Sequence, residues 1–217
     1  MIGVLIPAHN EEQLIGNCLE AVLIASQHPL LAQEPVAIMA VLDSCTDQTL
    51  HIARQHQIDV IELNVRNVGV ARATGAALLL EQGARWIACT DADSLVAPDW
   101  LVEQLALNAD AVCGTVTPGD WPADIPQHAQ IRYEQHYKAQ DGHRHVHGAN
   151  LGISAVAYQR AGGFPPLACD EDVQLVHQLQ QDGAHIAWSC RPRVITSMRL
   201  DSRADSGFGD FLKGLMA

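Results

Sequence analysis

With 217 residues, 48% of them hydrophobic, and a formal net charge of −12, the chain has the size and apolar content of one globular domain, able to bury roughly 70% of the surface its unfolded form exposes. The charge excludes nucleic acid and anionic membrane surfaces as general partners, because both would be repelled over most of the protein, and any anionic ligand then needs a local basic cluster or a cation. No run of about 18 apolar residues occurs and residues 1–6 lack a basic leader region, so no integral membrane segment is expected and the expected location is cytoplasmic.

A strand is expected over residues 2–6, followed by the turn Pro7-Ala8-His9-Asn10-Glu11-Glu12 and a helix carried by Leu14, Ile15, Cys18, Leu19, Val22 and Leu23 at helical spacing. Asn10 or a neighbour is placed to cap that helix, with Glu11 and Glu12 at the positive end of its dipole. A second strand over 36–42 ends in Asp43-Ser44-Cys45-Thr46-Asp47, and a helix over 47–56 and a strand over 60–63 come next. Arg66-Asn67-Val68-Gly69-Val70-Ala71-Arg72 then opens a helix that runs to Gln82. Its Arg72 offers a fixed cation to a phosphate, or to a salt-bridge partner. The apolar run 86–90 reads as a strand buried on both faces and ends in Asp91-Ala92-Asp93. This alternation predicts an α/β fold with a mostly parallel, Rossmann-like sheet and helices on both faces. Acids at strand C-terminal edges lie where such sheets bind ligands. Two carboxylates one residue apart give a hard-oxygen site for a divalent cation; either acid can also cap the helix that begins near Pro98.

A helix over 99–108 and a strand over 111–116 follow. The segment 125–140 sets Ile131, Tyr133 and Tyr137 among His128, Arg132, His136 and Lys138, which suits a sugar-facing wall or a surface helix packed through Ile131 and Tyr137. His143, His145 and His147 alternate, which places imidazoles on one side of an extended segment, as a metal site or as a polar loop. Gly148-Ala149-Asn150 leads a strand to residue 154, the Gly162 to Pro166 stretch turns the chain, and Asp170-Glu171-Asp172 make a negative first turn of a helix. The cysteines are scattered, with no C-x-x-C pair, and read as small, mostly buried thiols. The tail carries Arg199, Arg203 and a Gly207-Phe208-Gly209 turn.

Pro7-Ala8-His9-Asn10-Glu11, the 41–47 block, Asn67-x-Gly69-x-x-Arg72, Asp91-x-Asp93, Gly148-Ala149-Asn150 and Glu171-Asp172 stand in the order found in family 2 glycosyltransferases of the GT-A fold, and the chain resembles that family over about residues 2–189. The resemblance implies one domain whose half over about 1–95 binds a nucleotide-diphospho-sugar, with a UDP-sugar favoured, and whose half over about 96–217 shapes the site of a carbohydrate or other hydroxyl acceptor. It places Pro7, His9, Glu11 and Asp43 at the nucleotide, Arg72 near base and phosphates, Asp91 at the ribose, and on Asp93 a divalent cation, Mg²⁺ or Mn²⁺. Gly148, Ala149 and Asn150 fall on the acceptor side, and Asp172, with Glu171 as its alternative, is the general base of an inverting transfer. Two departures stand out: Leu42 replaces an expected acid, and Ser44-Cys45 replace Gly-Ser. The late histidine by which many relatives bind the metal is also missing, which points to Arg199 and Arg203 as cations for the leaving diphosphate.

Two other classes compete. Sugar-nucleotide nucleotidylyltransferases share a related sheet but carry a glycine-rich basic loop after the first strand, where Pro7 to Glu12 has neither glycine nor cation. A nucleotide-sugar-binding protein without turnover would not need both Asp93 and Asp172.

Overall fold

In the computed structural model, which describes residues 1–119, 121 and 125–199, the first half of the chain runs β1 (Ile2–Ala8), α1 (Ile15–Ser26), β2 (Val36–Asp43), α2 (Thr49–Ala53), β3 (Asp59–Leu63), α3 (Val68–Glu81) and β4 (Trp86–Cys89). The second half continues with β5 (Ser94–Val96), α4 (Trp100–Ala106), β6 (Ala111–Pro118), α5 (Gln127–His136), β7 (Leu151–Ser154), α6 (Ala155–Arg160), α7 (Glu171–Gln181) and β8 (Ile186–Thr196). All strands join one eight-stranded sheet in the order β3-β2-β1-β4-β7-β6-β8-β5. Every residue of β1 and β4 is buried, as the unbroken apolar runs require of strands covered on both faces. Ile2, Val4 and Ile6 pack with α1, α2 and α4, whereas Leu5 packs with α3, α6 and α7. The period-two alternation of a strand thus feeds two cores.

The β3-β2-β1-β4 portion is parallel, as the alternating order of strands and helices predicts. Past β4 the sheet is mixed: β7 runs antiparallel to both β4 and β6, β8 is parallel to β6, and the short β5 closes the edge antiparallel to β8. The pairing of β6 with β8 jumps from Gly114↔Ser189 to Thr115↔Arg193, so residues 190–192 bulge out.

Several local expectations shift. Helix α1 begins at Ile15, without a side-chain cap and without acids in its first turn. Asn10 instead accepts the Thr46 N–H at 2.8 Å, and Glu12 accepts that of Gln48 at 2.9 Å. Helix α4 starts at Trp100 after Asp99, so neither Asp91 nor Asp93 caps it. Ile131 is exposed, while Tyr133 and Tyr137 are buried, so α5 packs through its tyrosines. Cys18, Cys89 and Cys113 are buried and Cys45, Cys169 and Cys190 are half-buried, all of them free. No helix among the described residues is long and apolar enough to cross a membrane.

Candidate functional site

The loops leaving β1, β2 and β4, together with the turn before β7 and the N-terminus of α7, surround a cavity of about 600 Å³. It opens at the carboxyl edge of the parallel strands, where an open α/β sheet leaves its ligand crevice.

On one rim, Asp43 ends β2 and gathers the next crossover. Its carboxylate accepts the N–H groups of Val65 at 2.8 Å, Arg66 at 3.0 Å and Asn67 at 2.7 Å, and the Ser44 hydroxyl at 2.9 Å. Burial pushes this carboxyl up, but the bonds from Val65, Asn67 and Arg66 more than offset it and hold the group below its ordinary value. His9 faces the Asp43 carbonyl through Nδ1 at 2.7 Å, so Nδ1 carries the hydrogen and Nε2 is left to accept from Arg66 at 3.4 Å. Pro7 lines the same wall.

Beside it, Glu11 and Asp93 share one cation. Both Glu11 oxygens take the Arg199 guanidinium, at 2.6 and 2.7 Å, and Asp93 Oδ2 lies 3.0 Å from the same group. Burial first, and then the neighbouring Asp91, push the Asp93 carboxyl up to about 6, against the pull of Arg199. The strand β8 delivers Arg199 here because Ser94 and Thr196 bond across the β5–β8 pair at 2.9 Å and the Ser197 N–H reaches the Asp93 carbonyl at 3.1 Å. Arg203 and the Gly207 to Gly209 turn lie outside the described residues.

Arg72 joins the two rims. Its Nη2 donates to Asp91 at 2.6 Å and its Nε to Glu171 at 2.9 Å, with the guanidinium almost wholly buried. Nη1 is sealed without a hydrogen-bond partner among the described residues, and the guanidinium carbon lies 5.8 Å from the centre of the Phe164 ring. Burial works against this charge, but Asp91 and Glu171 outweigh it and raise its proton affinity. The arginine is thus committed to two carboxylates, with no fork turned outward to grip a phosphate. Gly148 packs directly against it, and a Cβ there would collide with the guanidinium.

On the second rim, Glu171 is buried against Arg72, and Asp172 faces the cavity. Asp172 accepts the Val173 N–H at 2.7 Å and that of Gly148, and among the described residues it has no ion-pair partner. Burial pushes its carboxyl up, more than Arg72 and these N–H groups pull it down. The helix start therefore does not hold Asp172 at low proton affinity, as its position in a first turn suggests; desolvation prevails and the group is a stronger base. Gly148 and Ala149 line the cavity, whereas Asn150 does not. Its amide donates to the Thr115 and Pro192 carbonyls at 2.7 and 2.8 Å, and its oxygen accepts from Trp100 Nε1 at 2.9 Å, which clamps the β6–β8 bulge.

Residues 3–159 match the sequence model described as glycosyl transferase family 2. The chain belongs to that family. A search by sequence among curated proteins finds no significant match. Solved structures that resemble this family 2 glycosyltransferase include S. aureus TarS 1–349 in complex with UDP-GlcNAc, with TM-score 0.70 and 16% identity over 95% of this chain and 61% of that one. The mannosyltransferase PcManGT from Pyrobaculum calidifontis, in complex with GDP-Man and Mn²⁺, gives 0.67 and 18% over 93% and 58%. GalNAc-T7 with UDP, GalNAc and Mn²⁺ gives 0.68 and 16% over 94% and 46%. These likenesses show the shared GT-A fold, and the chain spans about three-fifths of the TarS chain that carries UDP-GlcNAc.

Of the residues singled out in the sequence of this glycosyltransferase, Pro7, His9, Glu11, Asp43, Arg72, Asp91, Asp93, Gly148, Ala149, Glu171, Asp172 and Arg199 come together around one cavity. Arg66, to which the sequence assigns no role, lines that cavity as well, as do His145 and His147 of the alternating histidines expected to form a metal site or a polar loop. The alternation of His143, His145 and His147 was the available signal. It is resolved as a ring stack: neighbouring centroids lie 5.4 and 6.1 Å apart, and no metal-holding group of three or more His, Cys, Asp or Glu occurs among the described residues.

Proposed function

We propose that the protein transfers a sugar from a nucleotide-diphospho-sugar, with a UDP-sugar favoured, to a hydroxyl of an acceptor, inverting the anomeric centre. The observation that carries this reading is the division of one cavity between a rim whose carboxylates are bonded by cations or backbone N–H groups and a rim where Asp172 has no ion-pair partner among the described residues. The first suits a charged diphosphate and the second suits proton transfer. The family and the UDP-GlcNAc and GDP-Man complexes of the similar structures support the donor class.

In this reading the nucleotide lies against Pro7, His9 and Asp43, and the acceptor enters by Gly148 and Ala149. Asp172 takes the acceptor hydroxyl's proton, and its raised proton affinity brings it nearer the working range of a general base. Glu171, neutralised by Arg72, is a positioning group. The pair Glu11 and Asp93 fits a cation, since it already surrounds the Arg199 guanidinium. Asp93 would hold the Mg²⁺ or Mn²⁺, a hard cation that suits carboxylate oxygen. Such an ion would neutralise the diphosphate in an otherwise acidic protein and favour its departure. Arg199, held by Glu11 and Asp93 at the same place, would be a second cation to bond the departing phosphates.

Calorimetry of UDP binding with Mn²⁺ and with EDTA tests the donor side: affinity should require the cation, and Asp93→Ala should abolish the cation-dependent part. Equal affinity under both conditions overturns the metal assignment, and no binding of any nucleotide diphosphate overturns the function.

A further inference from the structure

Helix α5 ends in a column of rings. Tyr133 stacks on Tyr137 with centroids 5.0 Å apart, Tyr137 stacks on His145 at 4.3 Å, and His143 follows at 5.4 Å. Both faces of Tyr137 are therefore covered, and the column offers no open ring face on which a sugar could lie. Its effect is to fix one hydroxyl. Tyr137 Oη accepts the N–H of Val116, in β6, at 2.9 Å, and lies 2.9 Å from His147 Nε2. A buried hydroxyl hydrogen needs an acceptor, and Nε2 is the one that the described residues supply. The chain of bonds from Val116 N–H through Tyr137 O–H to His147 Nε2 makes Nε2 the acceptor, so the ring hydrogen resides on Nδ1.

Nδ1 has no hydrogen-bond partner among the described residues, and His147 lines the cavity. The next residue, Gly148, directs its N–H to the Asp172 carboxylate, so this imidazole and the base are held by one turn. Burial, helped by His145 and His143, drives the His147 pKa down to about 3, which keeps the ring uncharged. Glu11, Asp43, Asp91, Asp93, Asp170, Glu171 and Asp172 outnumber Arg66, Arg72 and Arg199 around the cavity, and so disfavour an anionic acceptor.

Resting on the glycosyl-transfer reading, we propose that His147 is a positioning residue for the acceptor: its Nδ1–H is a fixed, neutral donor to an oxygen of a neutral pyranoside held beside Asp172. Neither a titrating base nor a metal ligand is needed in this role; the relay from Tyr137 removes both options by occupying Nε2.

The test uses the full chain labelled with ¹⁵N in histidine, with UDP and Mg²⁺ present. The His147 signal, assigned by its loss in His147→Asn, should show the Nδ1–H tautomer at neutral pH, and Tyr137→Phe should release it to a mixture. Methyl glucopyranosides and methyl N-acetylglucosaminide, added as probes, should shift the Hδ1 resonance. His147→Asn, whose amide nitrogen reproduces the Nδ1 position, should keep the pyranoside affinity. His147→Gln, whose amide falls nearer Nε2, should weaken it about tenfold without changing UDP affinity. An Nε2–H tautomer, an Hδ1 resonance unmoved by the pyranosides, or equal affinity in the Gln variant overturns the proposal. Failure of UDP to bind, with tautomer and pyranoside response intact, overturns the donor reading instead.

Discussion

On the rim formed by β1, β2 and β4, Asp43, Glu11, Asp91 and Asp93 each have a partner: three backbone N–H groups hold the first, and Arg199 or Arg72 holds the others. On the opposite rim, two acids adjacent in sequence part company. Glu171 is bonded to Arg72, while Asp172 faces the cavity, accepts backbone N–H groups and has no ion-pair partner among the described residues. Burial raises both carboxyls, so what separates the neighbours is the ion pair: Arg72 holds Glu171, while Asp172 has no ion-pair partner among the described residues.

The comparison breaks most severely if the shared cation is removed. Arg72→Met leaves Glu171 and Asp91 without their counter-ion and should cost about 3–5 kcal/mol of stability, the range for breaking a buried ion pair. Denaturant unfolding measures this, and a loss under about 1 kcal/mol would show that Arg72 does not tie the rims together. Next comes Asp172→Asn, which keeps the shape but cannot accept a proton. Transfer should fall about a hundredfold or more with donor affinity retained; near-normal turnover refutes the base, and a product of retained anomeric configuration, read by NMR, refutes the single displacement. Glu171→Gln in the same assay should lower stability as well as rate, since its partner is structural.

A smaller effect separates the rims by pH. The His147 pKa falls from 6.5 to about 3 on folding, so the unfolded chain binds more protons between those values and stability declines as pH drops through that window. His147→Asn should flatten this part of the stability profile, and an unchanged slope would refute the assignment. The least effect is expected at Asn67, whose side chain accepts the Val70 N–H at 3.0 Å to cap α3. Asn67→Ala should lower the unfolding free energy by about 1 kcal/mol and leave Asp172-dependent transfer untouched.

The parallel half was legible because its signals are local: apolar runs of strand length, helical spacing between them, and acids where the runs stop. In the mixed half α4, β6, β7 and the start of α7 were legible by the same signals, but β5, β8 and the antiparallel pairings were not. Strand β8 carries Cys190-Arg191-Pro192-Arg193 in its middle, a sequence that argues against a strand and is tolerated because residues 190–192 bulge and Asn150 catches the Pro192 carbonyl. Strand β5, three residues long, gives no periodic signal. Motif order was enough to collect the carboxylates, but their pairing was hidden, since Glu11 and Arg199 stand 188 positions apart and nothing local announces their meeting. Asn150 misled for the same reason: its position beside Gly148 and Ala149 suggests a ligand contact, and only the tertiary structure turns its amide into the sheet.

The seam at Gly69 has a mechanical consequence. Its N–H bonds the Leu167 carbonyl at 2.9 Å, Asn67 Nδ2 bonds that of Pro166 at 3.1 Å, and a Cβ on Gly69 would run into the Pro165 carbonyl. The start of α3 is therefore stitched, by one backbone and one side-chain hydrogen bond, to the segment that leads into α7. A hinge needs a few residues free to change their dihedral angles; these bonds oppose hinging at the joint and couple α3 to the end of α7 that carries Asp172.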